Sequence, residues 1–208
     1  MAIFSDILIS ILPSKVKIFL MRKLGAKIGK NCELGYLAII NSKKIILGDN
    51  VQISAFNLIH RLNLFQVKPF SKIGSFNWIT GANQGEFCLG KNSAITRFHF
   101  FESSGGVLIG DNSIIAGRDS HFFTHGLKVD NLDDIQKITI GSWCYVGSSS
   151  KFVPGSSIED GTFVGMGAVV TKNFSRKYIL IAGNPAVIKK DLNNNSTYFN
   201  RKFINHFN

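Results

Sequence analysis

The 208-residue sequence predicts an all-β fold, a parallel solenoid whose short strands wind into a prism. Three observations predict it. Read in steps of six from Ile140, the chain shows Ile140, Val146, Phe152, Ile158, Val164 and Val170, all apolar. Four residues after each stand Cys144, Ser150, Ser156, Thr162, Ala168 and Phe174, small in five cases of six. An Ile/Leu-Gly pair opens most runs: Ile28-Gly29, Leu47-Gly48, Ile73-Gly74, Leu89-Gly90, Ile109-Gly110 and Ile140-Gly141. A helix repeats every ~3.6 residues, so steps of six would spiral around its surface, whereas six is a multiple of the strand period of two. Each apolar side chain therefore points inward and each small one fits a crowded corner. Glycine allows turn conformations that a Cβ forbids. Stacked coils bury a continuous core that no single coil could bury alone.

The elements follow in chain order. Residues 1–25 precede the repeat. Their apolar stretch AIFSDILISIL ends at Pro13, after which Ser14 reads as an N-cap, KVKIFLMRKL as a helix and Gly25 as its stop. This segment is expected to pack across the open end of the solenoid. The alternative is peripheral contact with a membrane surface through residues 1–24, with Lys15, Lys17, Arg22 and Lys23 near lipid headgroups. The solenoid occupies 26–188. Upstream of the regular part its inward positions read Ile28, Leu34, Ile40; Leu47, Ile53, Ile59, Phe65; Ile73, Ile79; Leu89, Ile95, Phe101; Ile109, Ile115, with slips between sets. The longest break is LKVDNLDDIQK, residues 127–137, and insertions in a solenoid become loops, frequently on the binding side. The tail 189–208, rich in asparagine, reads as a short helix or a frayed end.

Composition narrows the function classes. At 45% hydrophobic and 18% charged the chain buries a sizeable core, which excludes wholesale disorder. Twenty-four Lys+Arg against thirteen Asp+Glu leave +11, which draws in phosphates, nucleic acid, anionic lipid or acidic polysaccharide. The basic residues are scattered and no nucleic-acid module motif is present, so nucleic acid is not an expected partner. Cys32, Cys88 and Cys144 form no CxxC pair, which favours free thiols in a reducing cytoplasm over a zinc ribbon or a disulfide framework. No apolar run reaches the ~18 residues needed to cross a bilayer. The N-terminus carries Asp6, no early Lys or Arg and no small-residue cleavage site, a poor secretory signal. A cytoplasmic protein, peripheral at most to the membrane's inner face, is expected.

Residues 105–126, GGVLIGDNSIIAGRDSHFFTHG, then ITIGSWCYVGSSSKFVPGSSIEDGTFVGMGAVVTKNF and AGNPA resemble the hexapeptide-repeat acyltransferases, nearest to the sugar and capsular polysaccharide O-acetyltransferases. The resemblance implies a left-handed parallel β-helix of three hexapeptides per coil. It also implies acetyl-coenzyme A as donor, a sugar hydroxyl as acceptor in surface polysaccharide assembly, and a homotrimer with active sites between subunits. N-acetyl transfer to a nucleotide-linked amino sugar and a noncatalytic binding scaffold are the alternatives. Enzymes of this kind use one histidine beside a loop as general base, carried by a Thr-His pair, and Thr124-His125 matches it.

Acetyl transfer from a thioester to a hydroxyl asks for little besides a base of pKa near working pH and fixed donors for the oxyanion. It needs neither a metal nor a covalent enzyme intermediate. Neutral imidazole suits the base role. Five histidines are available. His125, beside Gly126 and beyond the last repeat position, is free to project. His121 stands six after Ile115, at an inward-pointing position. His99 lies in the preceding coil, where related sequences often carry a histidine that binds acceptor or orients the base. His60 and His206 carry no signal. Asp119 is a candidate orienting carboxylate, with Asp130, Asp133 and a backbone oxygen left open. A zinc site on His99, His121 and His125, as in β-helix carbonic anhydrases, has the count but not the spacing. Resemblance to galactoside-type acetyltransferases places donor contacts at Ser148, Met166, Thr171 and Lys172, with Gly147, Gly165 and Gly167 keeping the pantetheine path open. Val187 stands where some relatives carry an arginine, with Lys189 and Lys190 nearby. Phe98, Phe100, Phe101, Phe122 and Phe123 cluster near the histidines and offer faces for a sugar ring as well as core packing.

Overall fold

The inward positions of the sixfold pattern become stacked columns. A computed structural model describes residues 3–202, leaving out the side chains of Ile3, Phe4, Lys128, Asn131, Leu132 and Asp133. The chain is a parallel β-solenoid of about eight turns with two helices at its N-terminal end, the architecture of a left-handed β-helix. Each coil crosses three faces. Face II is the most regular, with strands at Glu33–Leu34, Gln52–Ile53, Lys72–Ile73, Ala94–Ile95, Ile114–Ile115, Tyr145–Val146 and Phe163–Val164 paired in parallel register. Its inward column is Leu34, Ile53, Ile73, Ile95, Ile115, Val146 and Val164, all buried. Face III carries Ile40, Ile59, Ile79, Phe101, Phe122, Phe152 and Val170 inward, and face I carries Leu47, Val67, Leu89, Ile109, Ile140, Ile158 and Phe174. Full burial of each such side chain contributes about 1.5–3 kcal/mol.

The slips of the N-terminal half have one location. Extra residues accumulate at the edge between faces III and I. There the strands Ile39–Leu47, Leu58–Val67 and Trp78–Leu89 run through the corner unbroken, turning Leu62, Phe65 and Phe87 inward as additional core. The segment between Phe122 and Ile140 leaves the prism at the same edge.

The other two corners are tight and turn through left-handed residues. Asn31, Asn50, Asn92 and Asn112 take φ between 53° and 57° between faces I and II, a conformation asparagine tolerates. Between faces II and III the same role falls to Phe56, Phe76 and Phe98, at φ 58–63°. Their rings stack at 5.0 and 4.8 Å, and Arg118 lies over Phe98 at 5.2 Å, contacts that offset the strain of a bulky residue there. Inside the corners, small polar side chains satisfy the turn carbonyls of the next coil. Ser71 Oγ donates to Gly90 at 2.6 Å, and Ser93 and Ser113 donate to Gly110 and Gly141 at 2.8 Å. The small residues read from sequence are these corner groups, and Ser150, Ser156 and Thr162 are likewise buried.

A solenoid's first coil has an unpaired edge, and the helices α1 (Ile3–Ser10) and α2 (Ser14–Lys23) cover it. Gly25, at φ +97°, stops α2 as the sequence predicts, its N–H donating to Arg22 O at 3.0 Å. Ser14 differs from expectation: it does not cap its own helix. Its Oγ accepts from Leu34 N–H at 2.9 Å, an orphan donor of the first coil. Lys17 is buried, its ammonium on Gly35 O at 2.5 Å, and Arg22 donates to Ile28 O at 2.9 Å and Gly29 O at 2.6 Å. Two of the four cations expected near lipid headgroups thus hold the exposed edge of the sheet. Burial lowers the Lys17 pKa below its ordinary value.

At the other end, Ile179–Ala182 pairs antiparallel with Val187–Asp191. The tail then folds back on face II: Tyr198 donates to Cys144 O at 3.0 Å and packs edge-on against Phe163 at 4.6 Å. Arg201 lies over the Tyr198 and Trp143 rings.

Candidate functional site

The break at 127–137 is an antiparallel hairpin, His125–Lys128 with Asn131–Ile135, and His125 is its first residue. The hairpin leaves the edge between faces III and I, directly after the strand His121–Phe123. Its base is held by Thr124, which is fully buried. The Thr124 N–H reaches Glu102 Oε2 at 3.1 Å, and the Thr124 hydroxyl donates to the same carboxylate at 2.9 Å while accepting from Gly105 N–H at 2.8 Å. The other Glu102 oxygen accepts from the N–H and hydroxyl of Ser104. Thr124 O accepts from Gln136 N–H at 2.8 Å, closing the hairpin. His125 is exposed, and its ring has no hydrogen-bond partner among the described residues. The imidazole thus stands at the exit of a clamped corner, on the outside of the prism.

Sequence reading did not find Glu102. The available signal was register: Glu102 pairs with Phe123, so it lies one coil away from the Thr-His pair. A Glu102→Ala substitution removes the carboxylate that both Thr124 donors share, leaving them only the Glu102 carbonyl at 3.2 and 3.0 Å, and is expected to cost about 0.5–1.5 kcal/mol in denaturant unfolding. It should lower kcat while leaving the KM for donor unchanged, and Glu102→Gln should restore most of both.

Beside the hairpin runs an aromatic shelf on the outer surface of face III. Trp78, Phe100 and His121 are register partners on successive coils. Trp78 meets Phe100 edge-on at 5.1 Å, Phe100 meets Phe123 at 5.5 Å, and His121 meets both phenylalanines at 6.1 Å. The Trp78 indole N–H donates to His60 Nε2 at 2.9 Å, so His60 and Trp78, unmarked in the sequence reading, join this shelf. Burial and the nearby Arg61 keep the His60 pKa low.

His121 therefore faces outward, contrary to the inward position its spacing predicts. The corner before it holds one extra residue, turning through Gly117 at φ +70° and Asp119 at φ +62°, so Phe122 takes the core place. A one-residue shift exchanges the two faces of a strand. Of the five phenylalanines near the histidines, Phe101 and Phe122 are core, Phe98 is in the corner stack, and Phe100 and Phe123 face out.

His99 is an interior corner residue, 2% exposed. Its Nδ1 accepts from Ser120 N–H at 3.2 Å and its Nε2 lies 2.9 Å from Thr96 Oγ1, which assigns the ring proton to Nε2. Both nitrogens being engaged, the ring is not presented to a ligand or a metal. Burial lowers its pKa to about 4, with Asp119 raising it and His121 lowering it further. Unfolded histidine titrates near 6.5, so the unfolded chain binds the proton first as pH falls. Above that value His99 is neutral in both states. Stability should fall between pH 6.5 and about 4, at up to about 1.4 kcal/mol per pH unit, and level off below. Urea midpoints against pH, for wild type and His99→Gln, measure this slope, which the variant should lack.

Asp119 sits at the opposite end of the strand from His125 and pairs with Arg118 at 3.0 Å. Asp130 is exposed at the hairpin turn, and the Asp133 side chain and His206 lie outside the described residues. The expected donor residues fall into two groups flanking face III. Gly147, Ser148, Gly165 and Met166 form the corner between faces II and III, with Met166 fully outward. Thr171 and Lys172 lie on the edge that also bears the hairpin, the Lys172 ammonium 5.5 Å from the Phe174 ring centre. The glycines serve coil stacking first: a Cβ on Gly147 would meet Met166 N and Val164 O at 2.9 Å, and one on Gly165 would meet the Ala182 methyl at 2.9 Å. A cavity of about 580 Å³ lies elsewhere, under the N-terminal helices, lined by Ile9, Lys17, Met21, Leu24, Ile40 and Leu62 among others.

The coils and corners define a hexapeptide-repeat β-solenoid. A family model described as the hexapeptide repeat of succinyl-transferase matches residues 25–55 and 137–172. The match covers about a third of the chain, and the repeat and coil geometry agree with the fold of hexapeptide-repeat proteins. Among curated proteins it is 26% identical over 162 residues to the bifunctional protein GlmU of a Nitratiruptor species, covering 77% of this chain and 36% of that protein. It is 28% identical over 167 residues to GlmU of Baumannia cicadellinicola, covering 74% of this chain and 33% of that one. The chain thus spans about a third of the length of these relatives. A solved structure of an AntD variant, an N-acyltransferase from Bacillus cereus in complex with dTDP and coenzyme A, aligns with a TM-score of 0.55 at 15% identity. That alignment covers 84% of this chain and 89% of AntD, and is a likeness of fold.

Proposed function

We propose that this chain is an acetyl-coenzyme A-dependent O-acetyltransferase acting on a sugar hydroxyl in surface polysaccharide synthesis, in the cytoplasm. The observation that carries the proposal is the exposed His125 imidazole at the root of a hairpin clamped by Glu102 and Thr124. In the proposed reaction donor and acceptor bind together. The His125 imidazole takes the proton of the acceptor hydroxyl as its oxygen attacks the thioester carbonyl. The C–S bond then breaks, the acetyl group stays on the sugar oxygen, and the departing thiolate recovers the proton from the imidazolium. Such base catalysis is worth about 10²–10⁴ in rate. The aromatic shelf gives a sugar ring apolar faces next to that base.

Ser148, Met166, Thr171 and Lys172 are proposed donor contacts, Lys172 pairing with phosphate. Their division over two corners suits a groove completed by a neighbouring copy, as in a homotrimer. Transfer to the amine of a nucleotide-linked sugar is the second reading, favoured by the fold likeness to AntD, whose structure holds dTDP and coenzyme A. Acetyl-coenzyme A turnover measured against a panel of sugars and nucleotide-sugars separates the two. Turnover with no acceptor in the panel, or only with amines, overturns the O-transfer reading.

A further inference from the structure

The two helices that close the first coil bury one side and leave another bare. Ile7, Leu8 and Ile11 from α1 and its following turn are exposed, as are Val16 and Phe19 from α2 and Leu24 beyond it, with Leu8 at 64% and Phe19 at 58%. A helix packed only against its own solenoid would carry polar residues on that side. Here the polar residues that frame it are cations. Lys15, Arg22 and Lys23 are exposed, and Lys23 leans over the Phe19 ring at 5.8 Å. Asp6 is the lone acid in 3–25, and it is buried against Asn41 at 2.5 Å, so no negative charge faces outward from the helices. Lys27, at the start of the first coil, adds another exposed cation.

We infer that this face docks on an anionic lipid surface, with the exposed aliphatic and aromatic side chains entering the headgroup boundary and Lys15, Lys23 and Lys27 meeting lipid phosphates. An apolar ridge whose helices expose only positive charge, with Glu33 of the first coil as the neighbouring acid beside Lys15, fits that partner. It fits an apolar partner protein less well, because three lysines would be left at the rim. Lys17 takes no part, since its ammonium is spent on the carbonyls of the sheet edge. Docking through this end leaves the hairpin edge, which runs along the solenoid's length, free for ligands.

The test is co-sedimentation of the full chain with phosphatidylcholine vesicles and with vesicles in which a third of the lipid is phosphatidylglycerol. Binding is expected to the anionic vesicles, to weaken with salt, and to be slight on the neutral ones. Each lysine near the surface should contribute about fivefold in affinity, so Lys15→Glu with Lys23→Glu should abolish retention. Leu8→Ser with Phe19→Ser should weaken binding at unchanged charge. Both pairs are surface changes, and far-ultraviolet circular dichroism checks that the fold is kept. Failure of the wild type to bind anionic vesicles, or equal binding by the charge variant, overturns the inference. So does a Leu8→Ser/Phe19→Ser protein whose vesicle binding is unchanged while its oligomeric mass drops, which assigns the face to a second copy. Acetyl transfer to a soluble acceptor should be the same in all variants, so loss of docking and failure of the proposed chemistry are read separately.

Discussion

Replacing His125 with alanine is expected to lower acetyl transfer by about 10²–10⁴-fold, the contribution of a positioned general base. The imidazole is exposed at the hairpin root, so its removal leaves no cavity and no stranded partner in the core. Fold and donor binding should survive. A coenzyme A titration showing unchanged affinity alongside collapsed turnover would support the assignment. Full turnover by the variant would remove His125 from the chemistry, and parallel loss of donor affinity would make it a binding residue instead. Neither His99 nor His121 can simply stand in for it. His99 has both ring nitrogens committed inside the corner, and His121 lies a strand's length back on the shelf.

Phe122→Ala is expected to destabilise the protein by about 3–5 kcal/mol, the usual range for a buried phenylalanine. Phe122 is fully buried between Phe101 at 4.4 Å and Phe152 at 4.8 Å, both rings nearly parallel to it. Removing the middle ring of a stacked column empties a space that neither neighbour can fill, because their backbones are fixed by parallel pairing on both sides. The hairpin starts three residues later, so turnover should fall at temperatures below the global melting point. Denaturant unfolding gives the stability change, and activity against temperature shows whether the hairpin loosens first. A loss below about 1 kcal/mol would mean that the coil relaxes into the gap.

The clamp on the hairpin shows what a single strand of text can and cannot carry. Thr124 and His125 are legible because they stand together, just before an obvious insertion. Glu102 is not, because its contact with Thr124 crosses from one coil to the next and nothing local marks it. Trp78 and Phe100 are outward residues one place before the inward Ile79 and Phe101, a position legible only once the register is known. The spacing failed at His121, where a single additional corner residue reversed the strand's two faces.

Taken alone, the sequence determined the solenoid, most of its inward columns, the small corner residues, the glycine stop of α2 and a projecting histidine beside the insertion. These are local properties: a side chain's direction in a short strand follows from its place in a period, and a period survives in one dimension. Only the tertiary structure decided which residues share an outer surface, that Lys17, Arg22 and Ser14 satisfy the open sheet edge, that the slips of the N-terminal half fall on one edge, and that the tail returns to face II. Most of these join residues a coil or more apart, and the distance around a coil depends on corner lengths that vary without changing the apolar pattern.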